Sequence, residues 1–158
     1  MEGKIRSAVV ADVPRMVELS EQKRTEYEKQ QPTFWRKAKD SASAQQSYFE
    51  HLLTLDNIVA LVYQQDGSIR GFVIAGLHGA PPVYDPGGLT CDIDDFVVED
   101  PSLWSSVGRA LLEGAISEAR TRKAVQVVVV TGGHDLPKRE MLGSMGLALA
   151  SEWWVSGI

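Results

Sequence analysis

The chain contains a single cysteine, Cys91, among its 158 residues. One thiol cannot close an internal disulfide, and it cannot build a cysteine-rich metal site. The three histidines are isolated from one another, and none belongs to a paired metal-binding motif. These scarcities exclude disulfide-stapled scaffolds and zinc-finger modules, and the sequence predicts no bound metal.

Long apolar runs and an excess of positive charge are also missing. No segment approaches the roughly 18 consecutive apolar residues of a membrane-spanning helix. The first residues lead into a strand-like segment without the apolar core of a secretory signal. We therefore expect no membrane insertion and a cytoplasmic location. Sixteen Lys and Arg stand against 21 Asp and Glu, a net charge of -5, and this balance argues against a nucleic acid partner, whose phosphates require a basic face.

Length and composition fit one globular domain. Domains usually contain about 100 to 200 residues, and 44% apolar with 23% charged residues is ordinary for a folded protein. No repeat, low-complexity tract or linker divides the chain. We expect a single domain over residues 1–158.

Strand-like and helix-like patterns alternate along the chain in the order β-α-α-β-β-β-α-β-α-β. The run from Val125 to Thr131 is typical of a strand covered on both faces, because it is apolar almost throughout. The order predicts an α/β (α+β) fold with one mixed, mostly antiparallel six-stranded sheet flanked by helices. The predicted strands cover 5–10, 58–64, 69–77, 91–98, 125–131 and 147–156, and the helices begin near Asp12, Asp40, Ser102 and Leu136.

One predicted strand end, at Phe96, Val97 and Val98, is followed by a segment rich in small residues and then by a helix. Backbone N–H groups at such a helix start converge on one point, where the helix dipole adds partial positive charge. A pyrophosphate is the natural ligand of this arrangement. The segment consists of Leu103, Trp104, Ser105, Ser106, Val107, Gly108 and Arg109.

These features resemble the Gcn5-related N-acetyltransferase superfamily over nearly the whole chain. The resemblance is carried by the segments Ile5-Arg6-Ser7-Ala8, Ile69-Arg70-Gly71-Phe72-Val73, Phe96-Val97-Val98, Val107-Gly108-Arg109-Ala110-Leu111-Leu112 and Met145-Gly146-Leu147. It implies acetyl-CoA as the acyl donor, held by Phe96–Val98 and by residues 103–109. It further implies cofactor contacts at Asp135, which aligns with a cofactor-binding Asn of the family. Lys138, Arg139 and Arg109 form a cationic group suited to the adenosine phosphates; alternatively, they are solvated helix charges.

The chain departs from the family pattern at identifiable positions. Leu103 stands where Arg or Gln is usual, whereas Trp104 and Ser106 replace glycines and only Gly108 is retained. Leu142 stands where many relatives have a tyrosine that protonates the departing thiolate. Tyr84, Tyr63, Cys91 or water then has to replace that acid.

Carboxylates on the third central strand are the candidate general base. Asp92 and Asp94 are two residues apart, so an uninterrupted strand places them on one face. In several relatives a carboxylate on this strand removes the proton of the incoming amine. The alternative is a solvated strand face. With Tyr84 as candidate acid, these residues form the predicted catalytic set.

The acceptor side is predicted from two regions that shape the substrate groove in the family. These regions contribute Tyr27, Phe34 and Trp35 from the first two helices and their linker, and Tyr84 with Asp85 from the long Gly/Pro loop. Alternatively, Phe34 and Trp35 plug the core. The resemblance also allows a homodimer, with Trp153 and Trp154 either at its interface or in the core.

The sequence therefore predicts an acetyl-CoA-dependent N-acetyltransferase acting on a small-molecule or peptide amine by direct attack on the thioester. The alternative is a non-catalytic module of the same fold that binds acyl-CoA or a protein. The two differ in whether bound acetyl-CoA turns over when amines are supplied.

Overall fold

The computed structural model describes residues 2–158. Five strands form one sheet in the order β1-β2-β3-β4-β5, antiparallel from β1 to β4 and parallel between β4 and β5. The strands are β1 Lys4–Ser7, β2 Ile58–Gln65, β3 Ser68–His78, β4 Leu89–Val98 and β5 Ala124–Val129. The helices are α1 Val13–Gln30, α2 Ser41–Leu52, α3 Arg109–Thr121 and α4 Leu136–Ser144. The predicted fold class is confirmed.

Helices α1 and α2 cover one face of the sheet. Apolar residues recur along α1 at helical spacing, so Val13, Met16 and Leu19 all lie buried on the side that faces the sheet. Phe49 of α2 meets Phe72 of β3 edge to face at 5.6 Å between ring centroids. This packing forms one of the two cores.

Helix α3 covers the opposite face. Its apolar stripe, which includes Leu111, Leu112 and Ala115, is completely buried against Val73 and Phe96 of the sheet. The sheet is therefore a middle layer with a core on each side. Strand β4 lines both cores, since its alternating side chains face opposite ways.

A β-bulge interrupts β4 at its centre. Val73 of β3 lies opposite Phe96, whereas Ala75 lies opposite Ile93, so β4 has one residue more than β3 in this interval. The parallel pairing of β4 with β5 extends to Ile93 and Val129. Beyond the bulge β4 continues beside β3 alone, and a gap opens between β4 and the chain that follows β5.

Two predictions about the sheet are wrong in detail. Within residues 2–158 the sheet has five strands rather than six, because residues 147–156 form no strand. Trp153 and Trp154 are 79% and 89% exposed, so neither belongs to the core. The valines of β5 are not covered on both faces either, since β5 is an edge strand and Val125 and Val128 are exposed.

Among residues 2–158, none of the helices combines the length and the apolar character needed to cross a bilayer.

Candidate functional site

The gap between β4 and the end of β5 is filled by the side chain of Lys138. Its Nζ donates hydrogen bonds to the carbonyl oxygen of Phe96 at 3.3 Å and to that of Val130 at 3.1 Å. One bond goes to β4 and the other to the residue after β5. Lys138 therefore joins the two chain segments where their direct pairing has ended.

Lys138 is almost completely shielded from solvent, which is unusual for a lysine. The residue is only 1% exposed, and its Nζ lies 5.2 Å from the ring centroids of both Phe96 and Trp104. Burial lowers the pKa of Lys138 to about 7, and the positive charge of Lys23 acts in the same direction. The carboxylates of Asp135, Asp94 and Asp95 oppose this shift.

The segment predicted as a phosphate-binding loop is helical instead. A 3-10 turn over Pro101–Leu103 continues as a π-helical turn over Trp104–Gly108 and then as α3. Asp100 caps this start, because its Oδ1 accepts hydrogen bonds from the amide and the hydroxyl of Ser102 at 2.8 and 2.6 Å. The amide of Trp104 donates to the carbonyl of Pro101, and that of Arg109 donates to carbonyls within the turn.

Trp104 explains why this segment departs from a glycine loop. Its indole is 5% exposed and meets Phe96 edge to face at 4.9 Å. A Cβ atom on Gly108 would lie only 2.5 Å from Trp104 Cε3, so the ring rests directly on this glycine. Gly108 therefore allows close approach of an indole, rather than showing by its presence that a phosphate binds here.

Tyr27 and Asp135 tie α1 to the start of α4. The Tyr27 hydroxyl donates to Asp135 Oδ2 at 2.6 Å and accepts from the amide of Gly132 at 3.3 Å. Asp135 Oδ1 accepts from the Lys138 amide at 3.4 Å and so caps α4. Burial, followed by the bond to Asp135, raises the pKa of Tyr27 well above its usual value. The sequence assigned Tyr27 to the acceptor side, whereas the structure places it in the interior.

An open groove of about 590 Å³ lies over the first half of β4 and the neighbouring edge of β5. It brings together Asp92, Tyr84 and Asp85 of the predicted catalytic and acceptor residues. His78 Nε2 lies 3.2 Å from Asp92 Oδ2, and its Nδ1 lies 3.2 Å from the carbonyl of Gly79. We call this the His78 groove; it is lined by His78, Gly79, Ala80, Pro81, Tyr84, Asp85, Pro86, Thr90, Asp92, Gln126 and Val128.

The three carboxylates of β4 occupy three different environments. Asp92 lines the His78 groove, Asp94 is exposed at the bulge, and Asp95 is partly buried toward α2. Gln45 Nε2 donates to Asp95 Oδ1 at 3.2 Å, while burial raises the pKa of Asp95 against the opposing charge of Lys23. The bulge lies between Ile93 and Phe96, after Asp92, and the expectation that Asp92 and Asp94 share a strand face stays a prediction.

The predicted aromatic residues cluster at the end of α1. Trp35 packs against Tyr27 at 5.2 Å and against Phe34 at 4.5 Å between ring centroids. Phe34 also approaches Trp153 at 6.1 Å, so the carboxyl-terminal residues reach this cluster. Phe34 remains exposed and Trp35 partly buried. Neither residue lines the His78 groove.

The predicted cationic group is divided by the structure. Arg109 donates to the Ser144 hydroxyl at 2.8 Å, and Arg139 donates to the Gly133 carbonyl at 3.1 Å, both in exposed positions. Lys138 turns inward, away from any surface phosphate. A sequence signal for its burial existed, because Met141 and Leu142 follow it at the i+3 and i+4 positions of the buried face of α4.

Searches with family models and among curated proteins gave no match to this chain. Solved structures do match it. A mutant protein from Bacillus halodurans has a TM-score of 0.86 at 18% identity, with 98% of this chain and 99% of that chain covered. A predicted acetyltransferase from Clostridium acetobutylicum, solved with acetyl-CoA, has a TM-score of 0.76 at 16% identity, with 99% and 96% covered. Glucosamine-6-phosphate N-acetyltransferase from Arabidopsis thaliana has a TM-score of 0.70 at 15% identity, with 99% of both chains covered.

The fold is that of the Gcn5-related N-acetyltransferases. The family resemblance implies that acetyl-CoA binds beside β4, at Phe96–Val98, and at residues 103–109 at the start of α3. In this chain Lys138 donates to the Phe96 and Val130 carbonyl oxygens that border this opening. At the other end, the Trp104 and Arg109 amides are engaged within the helical segment.

Among residues 2–158, no group of three or more His, Cys, Asp or Glu side chains is placed to hold a metal ion.

Proposed function

We propose that this chain is an acetyl-CoA-dependent N-acetyltransferase whose acceptor is a cationic amine bound in the His78 groove. The observation that carries this proposal is the position of the groove on β4, directly before the bulge at which β4 and β5 part. Because of the bulge, Asp92 and Phe96 lie opposite Gly76 and Val73, which are three residue steps apart on β3, a span of about 10 Å. An extended amine can bridge that distance from the groove to the gap.

The chemistry of the groove favours a positively charged acceptor. Among the described residues that line it, Asp85 and Asp92 are acidic and none is Lys or Arg. The tyrosine ring of Tyr84, 72% exposed at the mouth of the groove, offers an aromatic face to an ammonium group. The net charge of -5 also attracts cations.

Asp94, exposed at the bulge between the groove and Phe96, is the residue that we propose takes the proton of the attacking nitrogen, while Asp92 holds the ammonium at the other end of the acceptor. An ammonium nitrogen has no free electron pair, so one proton must leave before the nitrogen can form a bond to an acyl carbon. His78 acts as a positioning residue, because one ring nitrogen faces the Asp92 carboxylate and the other faces the Gly79 carbonyl. Tyr84 lines the groove and not the gap, so the departing thiolate takes its proton from water.

The test is thiol release from acetyl-CoA in the presence of a panel of polyamines, amino sugars and peptides with free amino termini. We expect at least one amine to raise the rate above the enzyme-free background. Asp94→Asn should lower that rate at least about tenfold and Asp92→Asn should raise the KM of the amine, whereas Asp56→Asn, on the loop between α2 and β2, should do neither. Failure of every amine would overturn the proposal and favour the non-catalytic alternative.

A further inference from the structure

Lys138 occupies the place where the sheet has lost its own pairing. The pairing of β4 with the β5 side ends where the Val130 amide donates to the Ile93 carbonyl at 2.9 Å. The free carbonyl oxygen of Val130 and that of Phe96, which follows the bulge, then face the gap. Both accept from Lys138 Nζ. A backbone edge of this kind would otherwise pair with a strand or with another chain that carries amide groups.

The surroundings hold this side chain firmly in the gap. The rings of Phe96 and Trp104 each lie 5.2 Å from Nζ, close enough for cation–π attraction. Trp104 is itself fixed by its contacts with Phe96 and Gly108. The backbone of Lys138 is fixed as well, because its amide donates to Asp135, the residue that caps α4.

The placement has a cost that a purely structural residue would avoid. A buried lysine must give up the hydration of its ammonium, and two carbonyl bonds compensate only part of that loss. An apolar side chain of similar length would fill the same space without that penalty. An ammonium group that bridges a gap can dissociate from the two carbonyl oxygens readily, because water solvates it once it leaves.

We propose that Lys138 is an internal plug: its side chain closes the β4–β5 gap, and the thioester arm of acyl-CoA enters only when the side chain moves out. This inference rests on the proposed function, since it describes how the donor side of that site is regulated. If only a fraction of molecules is open, the apparent affinity for the donor falls by that same fraction. A molecule that is open about one tenth of the time binds about tenfold more weakly than one that is always open.

The test compares the wild-type protein with Lys138→Ala and Lys138→Met, using calorimetric titration with acetyl-CoA and with free CoA. The alanine variant removes the plug, whereas the methionine variant keeps most of its volume and loses the ammonium. We expect the alanine variant to bind at least about tenfold more tightly than the wild type, with the methionine variant in between. The near-ultraviolet circular dichroism of the tryptophans checks that each variant is folded.

Three results are decisive. Equal affinity of wild type and Lys138→Ala would overturn the plug and leave the proposed transferase standing. No binding by any of the three proteins would overturn both. A gain in Lys138→Met as large as in Lys138→Ala would support the plug and assign closure to the two hydrogen bonds rather than to bulk.

A second measurement keeps the inference testable if the alanine variant does not fold. The wild-type protein is treated with an amine-specific acylating reagent, with and without free CoA, and modification of Lys138 is read by mass spectrometry. Free CoA cannot itself acylate lysine. Without CoA, we expect Lys138 to be protected from acylation. With CoA, its modification should become several-fold faster, and an unchanged rate at saturating CoA would refute the plug.

Discussion

Replacing Tyr27 by phenylalanine isolates the bond that ties α1 to α4. The ring remains, so its packing against Trp35 is kept, while the hydroxyl that serves both Asp135 and the amide of Gly132 is lost. A hydrogen bond to a charged group contributes about 1.5–3 kcal/mol. Asp135 is only partly buried and water can replace the lost donor, so its share lies near the lower end. The buried Gly132 amide loses its acceptor, which adds about 1–3 kcal/mol and gives a total of about 3 kcal/mol.

The assay is urea unfolding followed by tryptophan fluorescence at pH 7. The expected loss is about 3 kcal/mol, which in a thermal melt corresponds to a fall in the Tm of about 6–12 °C for a chain of this size. Tyr48→Phe is the matched control, because Tyr48 is exposed on α2 and its removal should stay within about 0.5 kcal/mol. Equal unfolding midpoints for the two variants would refute the assigned bond.

The same variant has a defined pH dependence. The pKa of Tyr27 is raised in the folded protein, chiefly by burial and then by Asp135. Its contribution to stability is therefore complete below the unfolded pKa of about 10 and is lost as the pH rises beyond it. The difference in unfolding free energy between wild type and Tyr27→Phe should shrink above pH 10, and a constant difference would contradict the cause given for the shift.

Three further outcomes follow from buried groups. Gly71→Ala should cost about 1–3 kcal/mol in urea unfolding, because its Cβ would lie 2.8 Å from the Val97 carbonyl oxygen, whereas Gly79→Ala, with no atom within 4 Å, should be neutral. The pKa of Lys138 is lowered by burial to about 7, so the folded state binds fewer protons than the unfolded state between pH 7 and about 10. Wild-type stability relative to Lys138→Met should therefore rise with pH over that range, and a fall would contradict it. Burial, together with the charge of Asp92, raises the pKa of Cys91 to about 11. At pH 8 its thiol should therefore react with an aromatic disulfide about 100-fold more slowly in the native protein than in urea. Equal rates would contradict the burial of Cys91.

Periodicity alone was sufficient to predict the layers of the fold. The apolar residues three and four apart in α1 and α3 are the ones that the two cores bury. The β2–β3 hairpin was visible in the sequence as well, since Asp66 and Gly67 both adopt positive φ at its turn. These features depend on local chemistry, which a single sequence carries.

Residues 147–156 were predicted from their local pattern to form a strand and do not form one. Their apolar and aromatic residues are typical of a strand, but a strand exists only when a neighbouring edge accepts its hydrogen bonds. No residue pattern states whether such an edge is reached. The same limit applies to β5, whose valines resemble a central strand although it lies at the edge of the sheet.

Individual residues of the candidate site were predictable from the sequence, whereas the contacts between them were not. Asp92, Tyr84 and Asp85 were predicted and lie in one groove. The contact between His78 and Asp92 depends on the register of β3 against β4, which sequence spacing does not reveal. The helical form of residues 104–108 depends on tertiary packing of an indole, so a comparison of motifs with a glycine loop could not anticipate it.

The bulge in β4 marks the place where this strand can lose a residue without exchanging its two faces. Ile93, Phe96 and Val98 line the core beneath α3, whereas Val97 lines the core beneath α1 and α2. Ile93 and Phe96 are three residues apart and still share a face, because the bulge contains one extra residue. Deleting Asp94 would leave them two residues apart, so both would keep their present face in a regular strand. Deleting Val97 instead would put Val98 on the opposite face. In evolutionary terms, a change in residue number is tolerated at the bulge and not in the half of the strand that follows it.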